Sequence, residues 1–180
     1  EIKEKELQAI RKKKLQAIRK EKLTIPDDES FSIAVRDFFD EETPDARQKI
    51  IDKYGDISDW DTSNVTNMSH IFEDKTDFNE DISRWNVSNV THMGYMFLGA
   101  TSFDQNISDW KVDNVTNMIG MFREAISFNG DISNWNVSNV THMEFMFCEA
   151  ESFNQELNWN VSSVTDMESM FQHATAFNQP

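Results

Sequence analysis

The sequence carries a single cysteine, Cys148, which excludes an internal disulfide framework and any cysteine-based zinc site. No apolar run approaches the ~20 residues that a membrane-spanning helix requires, and residues 1–24 lack the apolar region of a signal peptide. Glycine is scarce, at five of 180 residues, and phosphate loops, nucleophile elbows and glycine-rich calcium repeats are all absent. Basic residues are nearly absent beyond residue 55, where only Lys75, Arg84, Lys111 and Arg123 oppose nineteen acids. With a net charge of −15 overall, the acidic body is a poor partner for nucleic acid. What the chain does have is 38% hydrophobic and 12% aromatic residues, enough for the core of one domain.

Charge divides the chain. Residues 1–24 hold nine basic and four acidic residues, and residues 25–55 hold four basic and nine acidic. The first segment duplicates an octapeptide, Leu7-Gln8-Ala9-Ile10-Arg11-Lys12-Lys13-Lys14 and Leu15-Gln16-Ala17-Ile18-Arg19-Lys20-Glu21-Lys22. Its strong helix formers predict a basic lead-in helix, with Leu7, Ile10, Leu15 and Ile18 as a broken apolar stripe. Three readings stand: a solvated helix, a docking helix for another protein, or a basic helix on an anionic surface. Residues 25–55 read as a helical cap. Ser30 is the expected N-cap of a first helix through Ile33, Ala34, Val35, Phe38 and Phe39. Thr43-Pro44 opens a second helix, which Gly55 closes.

From Asp56 the sequence repeats. Trp60, Trp85, Trp110 and Trp135 are spaced by 25, and Trp159 follows after 24. Two phenylalanine ladders keep the same register, Phe72, Phe97, Phe122, Phe147, Phe171 and Phe78, Phe103, Phe128, Phe153, Phe177. So do ladders of Ile/Leu, Val and Met. A repeat this short cannot bury its own apolar side chains but can bury them against the next repeat. The expected fold is an α/β repeat: a leucine-rich-repeat-like solenoid over residues 56–180 of five ~25-residue coils, each a short parallel strand plus a short helical turn. Its far end lacks a polar capping segment, so the expectation is either that the repeat array continues beyond this sequence or that this end docks within a larger assembly.

The unit from Phe128 to Phe147, Phe-Asn-Gly-Asp-Ile-Ser-Asn-Trp-Asn-Val-Ser-Asn-Val-Thr-His-Met-Glu-Phe-Met-Phe, resembles the BspA-type leucine-rich repeat of mycoplasma surface lipoproteins, also found in algal, protist and large-virus proteins. The likeness covers residues 56–180. It implies a leucine-rich-repeat-like solenoid with no established catalytic activity, surface-displayed and engaged in adhesion or protein binding.

No enzyme, cofactor or metal is expected. His92 and His142 share a repeat position two coils apart with Asn117 between them, and His70 and His173 are isolated and expected to face solvent. The acidic ladder Asp56, Asp81, Asn106, Asp131 and Glu156 either accepts backbone hydrogen bonds at a turn or holds calcium. Asn64, Asn89, Asn114 and Asn139 match the glycosylation pattern, but as an inward-facing ladder they are expected to serve structure. Strict repetition likewise assigns the five tryptophans to packing over sugar binding. Information for a partner must lie where repeats differ, and Tyr95, Leu98, Ile119 and Phe145 form the candidate interaction patch. The expected function is a non-catalytic scaffold for protein–protein interaction in a surface or virion assembly. The alternative is a secreted or surface adhesin for host protein or glycan.

Overall fold

The chain's fold is given by a computed structural model that describes residues 23–180. Leu7, Ile10, Leu15 and Ile18 of the expected docking helix lie outside the described residues. Helix α1 spans Asp28–Phe38 and buries Phe31, Ala34, Val35 and Phe38, one face of a 3.6-residue period. Its N-cap is Asp27 and not Ser30: the Asp27 carboxylate accepts the Ser30 N–H at 2.7 Å, so Ser30 supplies the donor. Ile33 of the same helix is exposed. Helix α2 spans Ala46–Tyr54. It begins two residues later than Thr43-Pro44 implied, because the Asp40 carboxylate takes the N–H groups of Glu42 and Thr43 and holds them in a turn. Gly55, at φ 85°, ends it as expected.

Residues 56–180 do not form the expected α/β leucine-rich-repeat-like solenoid. Among the described residues there are two α-helices, one 3₁₀ turn at Ile57–Asp59 and no β-strand. The β-bridges between repeats are isolated parallel ones, through Asn67, His92, Asn117, His142 and Asp166. Segments expected to be strands, such as Phe78–Trp85, are irregular with tight turns, and Val90–Phe97 is a run of turns instead of a helix. The five repeats are therefore described as tiers of turns.

Backbone hydrogen bonds explain why neither element forms. In the second tier Met93, Tyr95, Phe97 and Gly99 donate N–H groups to Asn117, Ile119, Met121 and Arg123 of the third, at 2.7–2.9 Å. The residues between them turn back on their own tier: Met96 donates to Met93, Leu98 to Tyr95 and Ala100 to Phe97. Four of these donors thus run between tiers and three close four-residue turns. A strand would send successive groups to both neighbours and a helix would keep all of them local. The alternation demands left-handed residues, supplied by Tyr95 and Gly99 at φ 57° and 66° and by their counterparts in the other tiers.

The ladders pack between tiers. Phe72, Phe97, Phe122, Phe147 and Phe171 stack with centroids 5.4–5.7 Å apart. Each also lies face to face with the second phenylalanine of its tier, as Phe97 does with Phe103 at 3.9 Å. Helix α1 and its C-cap residue Phe39 close the first tier with aromatic edges, Phe31 and Phe38 against Trp60 and Phe39 against Phe72 and Phe78. It also completes a polar ladder. Between tiers, the carbonyl of Thr66 accepts the Thr91 N–H and hydroxyl and the His92 N–H. At the first tier the Asp28 carboxylate takes the three equivalent donors, Thr66 N–H and hydroxyl at 2.7 Å and Asn67 N–H at 3.1 Å. In the fifth tier Trp159, Phe171 and Phe177 are only partly buried, and Met167 is 40% exposed where its four counterparts are fully buried.

Candidate interaction surface

The turn side of the tiers carries the residues that differ from repeat to repeat. One of its columns is His70, Tyr95, Gly120, Phe145 and Ser169, every one left-handed at φ 54–61°. Tyr95, Leu98, Ile119 and Phe145 are all partly buried, neither core nor fully exposed. Tyr95 and Ile119 are joined directly, since the Tyr95 N–H donates to the Ile119 carbonyl at 2.7 Å.

The four residues do not make one continuous apolar surface. The Tyr95 ring lies across Gly120, where an added Cβ would stand 2.5 Å from Tyr95 Cε1. On its other side it stacks on the His70 ring at 5.0 Å. Phe145 sits under the guanidinium of Arg123, 5.8 Å from the ring centre. No ring contact joins Tyr95 to Phe145 among the described residues; Gly120 and Arg123 separate them. The face is two aromatic spots with Ile119 and Leu98 beside them.

Three contributors escape the sequence. His70 is not isolated: besides Tyr95 it meets Glu73, Nδ1 to Oε2 at 2.7 Å. Gly120 works by having no side chain, and Arg123 by stacking. Only the glycine leaves a signal, as a small residue in a column otherwise filled by larger ones. Beside them Glu144 has a carboxylate oxygen, Oε2, that is buried and without a hydrogen-bond partner. Cys148 is buried beneath this face, and burial pushes its thiol pKa up, against the opposing pull of Arg123.

The tryptophan ladder faces inward. Trp60, Trp85, Trp110 and Trp135 are 2–3% exposed, and each indole N–H is taken by a backbone carbonyl, as in Trp110 to Ile82 at 3.2 Å. The asparagine ladder is a correction. Asn89, Asn114 and Asn139 are exposed and not inward-facing, but each side-chain amide donates to a carbonyl of the preceding tier at 2.7–2.8 Å. Structure is served from the surface. In the acidic ladder Asp81 and Asp131 accept the N–H groups of Ser83 and Ser133 at 2.9–3.0 Å. The serine hydroxyls first, and then these N–H groups, hold both carboxyls below the usual range.

A family model described as "Mycoplasma protein of unknown function, DUF285" matches residues 44–158 and again residues 110–180. The chain belongs to this family. The overlap of the two matches over residues 110–158 follows from the repeat, because the DUF285 pattern can be laid on the tiers in more than one register. Membership in DUF285 does not carry the BspA-type leucine-rich-repeat name, and the leucine-rich-repeat solenoid implied by it is overturned by the absence of strands. No curated protein and no solved structure matches the chain. No described helix is long and apolar enough to cross a membrane.

Proposed function

We propose that this DUF285 chain is a non-catalytic scaffold for protein–protein interaction within a larger assembly, displayed on a surface or a virion. The observation that carries the proposal is the division of labour between columns. Inward positions repeat and stack, whereas the left-handed column and its neighbours change identity from tier to tier and present Tyr95, Ile119 and Phe145 half out of the core. Aromatic side chains fixed by backbone and ring contacts bind at low entropic cost. The finer kinship to surface-lipoprotein repeats of the BspA type belongs to this proposal and is consistent with display. Glycan binding gains no support from the tryptophans of the first four tiers, whose faces and N–H groups are engaged.

Replacing Tyr95 and Phe145 with serine tests the reading. Capture of a protein from native extract should fall while the thermal unfolding transition stays cooperative. Undiminished capture by the folded double variant would refute it, and loss of cooperative unfolding would assign both rings to the core.

A further inference from the structure

Behind the second phenylalanine of each tier runs a polar column, Asn79, Asp104, Asn129, Asn154 and Asn178. At every step the Oδ1 of one member accepts the backbone N–H of the next at 2.9 Å. The adjoining position reinforces three of these steps. Gln105, Gln155 and Gln179 each donate Nε2 to the carbonyl and to Oδ1 of the asparagine one tier back, at 2.8–3.1 Å. The fourth tier has Gly130 there instead, although its φ is not positive and the backbone does not require glycine.

Gly130 makes Asn129 the one asparagine of the chain that is followed by glycine. With no Cβ in the way, a glycine nitrogen closes on the preceding side-chain amide more readily than that of any other residue. The fold leaves both reacting groups free among the described residues. The Gly130 N–H has no acceptor, and the Asn129 side chain is engaged through Oδ1 alone, which takes the Asn154 N–H and Gln155 Nε2. A backbone N–H donor identifies that atom as the oxygen, so Nδ2 is the atom without a partner. Two donors on Oδ1 also draw electrons from Cγ and stabilise an oxyanion formed there. Both residues line an open groove with Asp104 and Asp131, so water reaches them.

We propose that Asn129–Gly130 is a self-modification site of the folded chain, at which the asparagine is converted to an acid. The Gly130 nitrogen passes its proton through water to Nδ2 and bonds to Asn129 Cγ; the Cγ–Nδ2 bond breaks and ammonia leaves. Water then opens the cyclic imide at either carbonyl, to aspartate or to isoaspartate. The column accepts aspartate, because Asp104 already fills this position one tier back and takes the next N–H at the same distance. An aspartate also loses no hydrogen bond that the Asn129 side chain makes, since both are accepted by its oxygen. Isoaspartate adds a methylene to the main chain and puts the ladder to the fifth tier out of register. The modification thus adds a negative charge to the column or loosens the last tier.

The test is incubation of the folded full chain in mildly alkaline buffer, read by peptide mass spectrometry that separates asparagine, aspartate and isoaspartate. Asn129 is expected to lose its amide while Asn154, followed by Gln155 in the same column, keeps it over the same period. Gly130→Gln copies the third and fifth tiers and should slow the loss to the rate at Asn154; the Phe128 ring must give slightly, because an added Cβ stands 3.0 Å from it. Asn129→Asp should unfold cooperatively near the wild-type temperature. Loss at Asn129 no faster than at Asn154, or loss seen only after unfolding in denaturant, would overturn the proposal. A marked fall in the melting temperature of Asn129→Asp would overturn the claim that the column accepts the product.

Discussion

Removing the Asp28 carboxylate tests how the helices close the stack. In Asp28→Ala, two backbone N–H groups and one hydroxyl lose their shared acceptor. A hydrogen bond to a charged group is worth ~1.5–3 kcal/mol, and three fully buried ones would sum to several. Thr66 and Asn67 are exposed and Asp28 is only partly buried, so water recovers much of that. About 2 kcal/mol is the expected loss, and at ~2–4 °C per kcal/mol for a chain of this size the melting temperature should fall by about 4–8 °C. Asp28→Asn keeps one acceptor oxygen and should lose about half as much. The pH dependence separates the carboxylate from simple packing. Burial raises the Asp28 pKa, but the Thr66 hydroxyl and the N–H groups of Thr66 and Asn67 outweigh it and hold the value below normal. A carboxyl depressed in the folded state stabilises above its unfolded pKa of ~3.9 and loses that contribution as pH falls through the folded value. The gap between wild type and Asp28→Ala should therefore narrow below about pH 4. Calorimetry from pH 7 to pH 3 reads both effects. An unchanged melting temperature at pH 7, or a gap of equal size at pH 3, would refute the carboxylate's role.

Three further outcomes follow from the packing. Phe122→Ala removes a fully buried ring stacked on Phe97, Phe128 and Phe147 and should cost about 3–5 kcal/mol in denaturant unfolding; Phe171→Ala in the partly buried fifth tier should cost clearly less. Gly120→Ala must push the Tyr95 ring aside while keeping a left-handed φ of 54°; it should disturb Tyr95 in NMR spectra and destabilise by ~1 kcal/mol or more. Acrylamide should quench one tryptophan, Trp159, far more than the other four, and equal quenching of all five would contradict the inward ladder.

Much of the packing was legible because its signal is repetition. A side chain that meets its own kind at each tier leaves an unbroken column in the sequence, as the two phenylalanine ladders do. The secondary structure was not legible for the same reason. Spacings of three and four in Val90–Phe97 resemble a helix, but the donors alternate between local turns and the next tier, and this choice leaves no mark on hydrophobic period. The left-handed column was hidden too, since His70, Tyr95, Phe145 and Ser169 are not residues that announce a positive φ. Of the candidate face, Tyr95, Leu98, Ile119 and Phe145 could be named from their variation between repeats. His70 and Arg123 could not, because their part comes from ring and guanidinium contacts across tiers.

The central claim is that partners are met on the varying turn side and not along the repeated ladders. A photoreactive side chain placed at Leu98, and separately at the exposed Asn106 of the acidic ladder, tests it most directly in native extract. The account predicts a discrete cross-linked protein from position 98, suppressed by excess wild-type chain and by Tyr95→Ser, and none from position 106. Equal cross-linking from both positions, or from position 106 alone, would contradict it.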